Sequence, residues 1–196
     1  SRGPEVTDAL VTPGGDTVRG MTDLKADFAR LEAEKAALLA SVASLDAETL
    51  NRKPAADAWS ILQVFVHLTK AEGGTLQYIQ KKAVDPKALP KAGLTAWLRV
   101  AALVIGIESP FRFKAPKGVR EVPDTADLAE VLSSWAKVRD DWRAYLDVFP
   151  PEAQDRAIFR HPFVGLLGPR QVMIFMRWHV KNHARQVARI RKAIGA

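Results

Sequence analysis

Apolar residues recur at helical spacing along four long segments of this chain, and no segment of useful length alternates apolar and polar residues. In the first segment the apolar positions follow one another at steps of three, four and seven: Leu24, Phe28, Leu31, Leu38, Val42 and Leu45. This spacing collects apolar side chains on one helix face, which needs burial against a neighbour. The segments therefore predict an all-α fold, an antiparallel four-helix bundle. The predicted long helices span about Thr22–Leu45, Ser60–Lys82, Asp124–Pro150 and Pro169–Ile194.

The rest of the chain divides into short connections and an arm. Residues 1–20 contain glycine and proline clusters and predict an irregular N-terminal arm, so that residues 21–196 form the four-helix-bundle domain. Two further segments, 109–124 and 159–168, predict loops, the first of them basic. An additional short helix over Ala92–Ile105 is predicted from its apolar positions Leu94, Trp97, Leu98, Ala101 and Ile105.

Local signals mark three helix starts. Ser60 and Gln63 form an S-x-x-Q pair, which predicts a capping box in which each side chain binds the other residue's backbone N–H. Asp124 and Thr125 are both suitable caps for the next long helix. Pro169 suits the first position of the last helix, where its missing N–H costs nothing.

The net charge of +7 is unevenly distributed along the chain. Every charged residue after Asp155 is cationic. This asymmetry fits either an anionic partner or a solvated helix face whose last cations complement the helix dipole. Because no recognition helix or aromatic–basic motif accompanies the cations, we expect the second explanation and no nucleic-acid binding.

Two features that the sequence lacks, cysteine and a long apolar segment, limit the classes of protein that it can belong to. The chain has no cysteine, which excludes a disulfide framework, a thiolate ligand and a cysteine nucleophile. No run approaches the roughly 18 apolar residues of a membrane span, and the first twenty residues lack a charged leader followed by an apolar block. We therefore expect a cytoplasmic protein with no membrane contact.

Three of the four histidines lie in two segments that a bundle can bring together. His179 and His183 are four residues apart, so on a helix both rings leave the same face. His67, near the apolar side of the second predicted helix, would complete a three-nitrogen site for a divalent zinc, nickel, manganese or iron ion. The ordinary alternative is that all three are satisfied core or rim residues. Glu72 lies about 140° around the helix from His67 and is poorly placed as a base.

Three other polar residues stand near these histidines in the sequence. Gln63, one turn before His67, and Gln186, three residues after His183, are candidates to orient the rings through hydrogen bonds, or are ordinary rim residues. His161 precedes a proline in the second predicted loop. A capping or surface position is expected for it, with a place at a pocket mouth as the alternative.

Three sequence blocks in this order resemble the DinB-like (YfiT-type) superfamily. They are W-S-x-x-Q-V-x-x-H-L at residues 59–68, H-P-x-x-G at 161–165 and H-x-x-x-H-x-x-Q at 179–186. The resemblance covers about Thr22–Ile194. It implies an up-down-down-up four-helix bundle.

The resemblance also implies a divalent metal held by His67, His179 and His183, and commonly a homodimer. Some members are thiol-dependent enzymes, such as mycothiol-dependent maleylpyruvate isomerase and bacillithiol transferases, and others are assigned as metal-dependent hydrolases. The chain departs from many relatives at Asn182, where they have a histidine, and at Pro169-Arg170, where they have threonine or serine. These departures bear on the pocket and the substrate, not on the three ligands.

Together these features predict a metal-dependent enzyme acting on a small molecule, either a hydrolase or a thiol S-transferase. Three neutral imidazoles would leave one coordination position for water or for a thiol. Because the chain has no cysteine, a thiol would come from a low-molecular-weight cofactor. The alternative is a non-catalytic bundle that binds small ligands or acts in a stress response, with a structural or vestigial metal.

Overall fold

The computed structural model describes the backbone of residues 13–108 and 121–196, with side chains from residue 23 onward. Its α-helices are α1 (Pro13–Ala40), α2 (Ala47–Asn51), α3 (Ile61–Lys82), α4 (Leu94–Glu108), α5 (Leu128–Asp147) and α6 (Pro169–Ile194). Two strands, β1 (Phe159–His161) and β2 (Gly165–Leu167), and two 3-10 helices, Pro86–Ala88 and Pro151–Ala153, connect them. Among the described helices, none combines the length and apolarity that crossing a bilayer requires.

The first and last long helices run in the same direction. Arg170, near the start of α6, pairs with Asp23 in the first half of α1, with 3.0 Å between Nη1 and Oδ2. Arg191, near the end of α6, donates to the backbone carbonyl of Ser41, just after α1. The two helices are therefore parallel neighbours.

The middle pair, α3 and α5, is parallel as well. Gln63 at the start of α3 donates to the carbonyl of Pro123, just before α5, at 2.7 Å. Halfway along, Arg139 of α5 reaches Glu72 of α3.

The two pairs run in opposite directions, because Lys25 in the first half of α1 meets Asp147 at the end of α5. This arrangement confirms the predicted up-down-down-up bundle.

The apolar stripes of the long helices meet in one core. Two tryptophans of α5, Trp135 and Trp142, are fully buried, and the Trp135 ring centroid lies 5.6 Å from that of Phe65 in α3. Buried aromatic rings of this size each remove about 150–250 Å² from water, so they dominate the contact between α3 and α5. Of the six positions predicted from spacing in the first segment, five are buried: Leu24, Phe28, Leu31, Leu38 and Val42. Leu45 is only partly buried. The helix ends at Ala40, earlier than the predicted Leu45, so Val42 and Leu45 lie just beyond it.

The start of α1 differs from the sequence prediction. Residues 13–20 are helical rather than part of an irregular arm, and residues 1–12 lie outside the described part of the chain. Pro13 stands at the first helical position, where a missing N–H is tolerated. The glycines that follow cost about 1 kcal/mol each relative to alanine, which lowers helix propensity without ending the helix.

The start of α5 is also later than predicted. Asp127 caps the helix, rather than Asp124 or Thr125. The backbone N–H of Ala126 donates to the side-chain oxygen of Asn51 at 3.0 Å, which ties this segment to the end of α2. The helix therefore begins only beyond this anchor.

A β-hairpin occupies the second predicted loop, where no strand was expected. Phe159 pairs with Leu167 in antiparallel register, and each strand has only three residues. So short a strand carries no detectable alternation. Gly165 has φ +80°, a conformation that side chains rarely adopt, and this allows the chain to enter β2. Arg99 of α4 donates to the carbonyl of Leu166 at 3.2 Å, which holds the hairpin against α4.

The predicted short helix is present as α4, over Leu94–Glu108 rather than Ala92–Ile105, but the apolar positions from which it was predicted are not the ones that it buries. Leu94, Leu98 and Ile105 are among the most exposed apolar side chains of the described residues. Because α4 is apolar almost all round, helical spacing alone did not distinguish its two faces. The positions that it buries are Ala96, Val100 and Leu103.

Candidate metal centre

The three predicted histidines come together between α3 and α6. His67 lies two turns into α3, whose start is held by the predicted capping box. Ser60 Oγ accepts from the Gln63 N–H at 3.2 Å, and Gln63 Oε1 accepts from the Ser60 N–H at 2.9 Å. His179 and His183 lie one turn apart on α6. His67 and His183 are buried, and His179 is partly exposed.

The ring nitrogens are close enough to share one ion. Nε2 of His179 lies 3.3 Å from Nε2 of His67 and 3.0 Å from Nε2 of His183. The three candidate ligand atoms all lie within 4.8 Å of one another, and no carboxylate of the described residues joins them. A tetrahedral zinc with Zn–N bonds of about 2.0–2.1 Å would place two ligand nitrogens roughly 3.3 Å apart. The donor set therefore fits a divalent ion held by three imidazoles.

Gln186 determines which nitrogen of His183 faces the cluster. Its Oε1 lies 2.8 Å from Nδ1 of His183. An amide oxygen only accepts hydrogen bonds, so Nδ1 carries the ring proton and Nε2 presents a lone pair. A single proton on Nε2 of His179 cannot form hydrogen bonds to Nε2 of both His67 and His183 at once. Nitrogen lone pairs therefore face each other at short distance, and a cation between them would remove the repulsion.

Burial keeps the two imidazoles of α6 neutral. It lowers the pKa of His183 to about 3, and the nearby His67 adds to the effect. Burial also lowers the pKa of His179 to well below its usual value, and the nearby His183, His67 and His161 lower it further. Neutral imidazoles offer the lone pairs that metal binding requires.

Aromatic rings flank the histidines on two sides. The Trp59 ring centroid lies 5.0 Å from that of His67, and Phe175 stacks on His179 at 5.5 Å with 20° between the planes. Neither aromatic residue was predicted from the sequence to belong to the site. Phe175 precedes His179 by one turn, so its position was readable from helical spacing. The contact of Trp59 depends on how the preceding connection folds onto α3.

His161 lies one ring further from the cluster. Its ring makes a T-shaped contact with Phe175 at 4.6 Å, and its Nδ1 accepts the N–H of Phe163 at 3.3 Å. The side chain is only 6% exposed, and burial lowers its pKa to about 4. His161 is therefore a buried, neutral residue that caps the hairpin turn, which corrects the expectation of a surface position.

Gln63 has partners other than His67. Its Oε1 accepts from Ser60 in the capping box, and its Nε2 donates to the carbonyl of Pro123. Both polar ends of the amide are thus engaged away from the imidazole. The residue fixes the start of α3 and the approach to α5, and it is buried. It therefore fits neither of the two alternatives from the sequence, a contact that orients the ring or an ordinary rim position.

Glu72 belongs to a separate buried polar cluster between α3, α5 and α1. Arg139 donates through Nε to Oε2 of Glu72 at 2.6 Å and through Nη2 to Oε1 at 2.8 Å, and Trp135 donates to Oε2 at 2.9 Å. Nη1 of Arg139 reaches Glu32. Burial alone would lower the pKa of Arg139, but the two carboxylates raise it above its usual value. Glu72 is therefore a structural residue and not a base for the histidine site.

Several cationic side chains of α6 form ion pairs with carboxylates of neighbouring helices. Their ion pairs reach α1 and α4, so much of the basic character of the C-terminal sequence is balanced inside the fold. The pairs are Arg170 with Asp23 and Asp27, Arg177 and Lys181 with Glu34, and Arg185 with Glu108.

A groove of about 600 Å³ lies between α3 and α5, and Gly73, Gln77 and Tyr145 contribute to its lining. A Cβ atom at Gly73 would lie 3.4 Å from Val138, so the absence of a side chain at this position allows α5 to pack closely against α3. Gly73 is six residues beyond His67, about 120° around the helix. The groove therefore faces away from the histidines.

Comparison with known proteins agrees with the motifs and the fold. "Uncharacterized protein YuaE" of Bacillus subtilis (strain 168) is 27% identical over 150 residues, which make up 76% of this chain and 88% of that protein. The structure of TT2238, a four-helix bundle protein, is similar with a TM-score of 0.54 and 22% identity, over 85% of this chain and 98% of that chain.

A second solved structure is YfiT from Bacillus subtilis, described as a probable metal-dependent hydrolase with an unusual four-helix bundle topology. Its TM-score is 0.50 and its identity 15%, over 98% of this chain and 95% of that chain. The family model of the DinB superfamily matches residues 30–187, a span that contains all three histidines of the cluster. The chain belongs to the DinB superfamily.

Proposed function

We propose that this protein is a metal-dependent enzyme acting on a small molecule, with His67, His179 and His183 as the ligands of one divalent ion. The observation that carries the proposal is the convergence of three Nε2 atoms, 3.0 and 3.3 Å apart. Neutral imidazoles this close repel one another through their lone pairs unless a proton or a cation lies between them. Zinc, nickel, manganese and iron are the candidate ions.

The surrounding residues prepare the ligands for binding. Gln186 holds His183 with Nε2 directed inward, while Trp59 and Phe175 restrict rotation of the other two rings. Ligands that are already oriented lose little freedom on binding, which favours affinity. The partial exposure of His179 gives a small molecule a side from which to approach.

A divalent ion with three protein ligands supplies Lewis acidity at one remaining position and can acidify a water or a thiol toward a pKa of about 7. Hydrolysis is the first reaction to test, because YfiT is described as a probable metal-dependent hydrolase. Small esters and amides are suitable test substrates.

Thiol transfer is the second candidate reaction, on a separate observation. No carboxylate of the described residues joins the cluster, and Glu72 is bound by Arg139, so within the described part of the chain no carboxylate base stands beside the ion. A thiol, with an ordinary pKa of about 8.5 against about 15.7 for water, depends less on such a base. The thiol would come from a low-molecular-weight cofactor, since the chain has no cysteine.

Metal content and turnover test the proposal together. Protein purified without a metal-affinity column should contain about one divalent ion per chain by elemental analysis. The loaded protein should turn over small esters or amides alone, or electrophilic acceptors in the presence of a low-molecular-weight thiol. Chelation should abolish turnover, and returning one of the four candidate ions should restore it.

The matched variants are His183→Ala and Lys192→Ala, both on α6, because Lys192 is exposed in the last turn of that helix. His183→Ala should lose both ion and turnover while keeping its helical signal, and Lys192→Ala should retain both. Full turnover by His183→Ala would show that the metal is not catalytic, and the non-catalytic ligand-binding alternative would replace the proposal. Failure of the wild-type protein to bind any of the four ions would refute the metal site itself.

A further inference from the structure

Arg99, in the middle of α4, is a partly buried cation that forms no ion pair with a carboxylate of the described residues. Its guanidinium carries five N–H donors, and Nη1 donates to the carbonyl of Leu166 at 3.2 Å. That one bond to the hairpin needs no charge, because a neutral amide donates to a carbonyl as well. Within the part of the chain that the structure describes, the charge and the remaining donors of Arg99 are left without a role in the fold.

The missing counter-charge distinguishes Arg99 from the cations of α6. Arg170, Arg177 and Arg185 each reach a carboxylate of another helix. A charged group that is taken partly out of water without a counter-charge costs free energy. An anion bound at Arg99 would offset that cost, so the guanidinium is suited to an anionic ligand.

The guanidinium of Arg99 lies on the face of the hairpin that carries the His161 ring. His161 and Gly165 stand directly opposite each other in the antiparallel register, so side chains at these two positions project from the same face. A Cβ atom at Gly165 would lie 3.8 Å from Nε and 3.9 Å from Cζ of Arg99. The guanidinium therefore borders the space that the glycine leaves open on this face.

Two ring contacts lead from this face to the histidine cluster. The ring centroid of His161 lies 4.6 Å from that of Phe175, and Phe175 stacks on His179 at 5.5 Å. Phe175 and His179 are both partly exposed. Burial lowers the pKa of His161 to about 4, so this ring is neutral and adds no charge. A small molecule lying along these rings would have the Arg99 cation at one end and the candidate metal centre at the other.

We propose that Arg99 binds a carboxylate of the small molecule that reacts at the histidine cluster, so that the substrates are small carboxylic acids. The proposal rests on the proposed function and specifies its substrate class. A planar guanidinium can hold a carboxylate through two parallel hydrogen bonds, which is the geometry that arginine favours. Because the rings of His161 and Phe175 stand between Arg99 and His179, the carboxylate is separated from the reacting group by several carbon atoms.

A titration of the metal-free protein tests the binding site without any turnover. The probe is succinate, and the Nε–Hε signal of Arg99 in a ¹H–¹⁵N NMR spectrum is assigned by its loss in Arg99→Lys. The matched control is the Nε–Hε signal of Arg160, an exposed arginine of β1 that alternation places on the other face of the hairpin. The Arg99 signal should move saturably, with a dissociation constant at least about 10-fold below that of any response at Arg160.

Turnover by the metal-loaded protein tests the substrate class. The monophenyl esters of succinic and glutaric acid are compared with neutral phenyl butyrate and, in the presence of a thiol, monomethyl fumarate is compared with dimethyl fumarate. Arg99→Gln should lower the ratio of kcat/KM for the anionic to the neutral compound at least about 10-fold. Arg99→Lys should lower it less, because an ammonium group keeps the charge but loses the paired donors. Arg160→Gln should leave the ratio unchanged.

A purely structural role of Arg99 would lower both kcat/KM values alike, and circular dichroism of each variant detects a loss of helix. Two results would overturn the proposal: an Arg99 signal that responds to succinate no more strongly than that of Arg160, or a ratio that Arg99→Gln leaves unchanged. If no compound of either pair is turned over, the proposed function fails. The titration of metal-free protein still decides whether Arg99 binds a carboxylate, so the two failures are distinguishable.

Discussion

Replacing Glu72 by glutamine should leave the buried guanidinium of Arg139 without its main counter-charge. Both side chains are only 2% exposed, and two hydrogen bonds of 2.6 and 2.8 Å join them. The amide oxygen of a glutamine can still accept hydrogen bonds in place of one carboxylate oxygen, but the NH2 group that replaces the other oxygen would face a donor of Arg139 or Trp135. Glu32 remains as a partner of Arg139, although it is 32% exposed and shared with Arg143.

The magnitude follows from that burial. Removing one partner of a buried ion pair costs about 3–5 kcal/mol, because an uncompensated charge is left in the core. The total stability of a domain is about 5–15 kcal/mol, so Glu72→Gln should remain folded but weakened. At about 2–4 °C per kcal/mol, the melting temperature should fall by roughly 6–20 °C.

Urea unfolding followed by circular dichroism measures the loss. The matched control is Asp141→Asn, which removes the exposed Lys137–Asp141 pair on the same helix α5 and should cost about 0.5 kcal/mol or less. The double variant Glu72→Gln/Arg139→Met removes the stranded charge and keeps an acceptor for Trp135, so it should be more stable than Glu72→Gln alone. A loss no larger than that of Asp141→Asn, or no recovery in the double variant, would refute this account of the cluster.

Three further outcomes follow from the site. Gln186→Leu removes the acceptor that orients His183 and should weaken metal binding about 10–100-fold in a chelator competition titration, whereas unchanged affinity would show that the hydrogen bond is unimportant. Gln63→Ala should cost about 1 kcal/mol, because it removes the hydrogen bonds of Gln63 to the Ser60 N–H and to the Pro123 carbonyl, without changing metal affinity. A change in metal affinity would show that Gln63 does act on the His67 ring. In the metal-free protein, His161 and His183 stay neutral in the fold with lowered pKa values of about 4 and about 3. The unfolded chain takes up protons below a pKa of about 6.5, so the melting temperature should fall between pH 6.5 and 4. A flat profile over that range would contradict the neutral burial of these rings.

The long helices could be predicted because their signals are local. The spacing of Leu24, Phe28 and Leu31 is enough to show which face of the helix is buried. In the same way, Ser60 and Gln63 are enough to show where α3 begins. The histidine pair of α6 was readable for the same reason, because four residues make about one turn. Predicting that His67 lies beside that pair required knowledge of which helices face each other, and the family resemblance supplied this knowledge.

The features that could not be predicted depend on partners distant in sequence. Arg139 and Glu72 are 67 positions apart, and charged residues on a helix are exposed by default, so nothing local indicated a buried pair. Gln63 had two possible partners, and the one three residues away prevailed. In α4, apolar residues cover both faces, so spacing could not show which face the bundle would bury.

The helix α3 joins the two buried polar clusters, and this permits a test of whether they are independent. His67 faces α6, while Glu72, five residues later and about 140° around the helix, faces α5. A ligand that binds only the folded protein stabilises it by about 4 kcal/mol at a thousand times its dissociation constant, which is close to the expected cost of Glu72→Gln. The metal-loaded variant should therefore melt near the metal-free wild type, and the metal should raise both melting temperatures equally. If the metal stabilises the variant much less than the wild type, the Arg139–Glu72 pair also sets the position of His67, because the loss would then lie in metal affinity and not in folding alone.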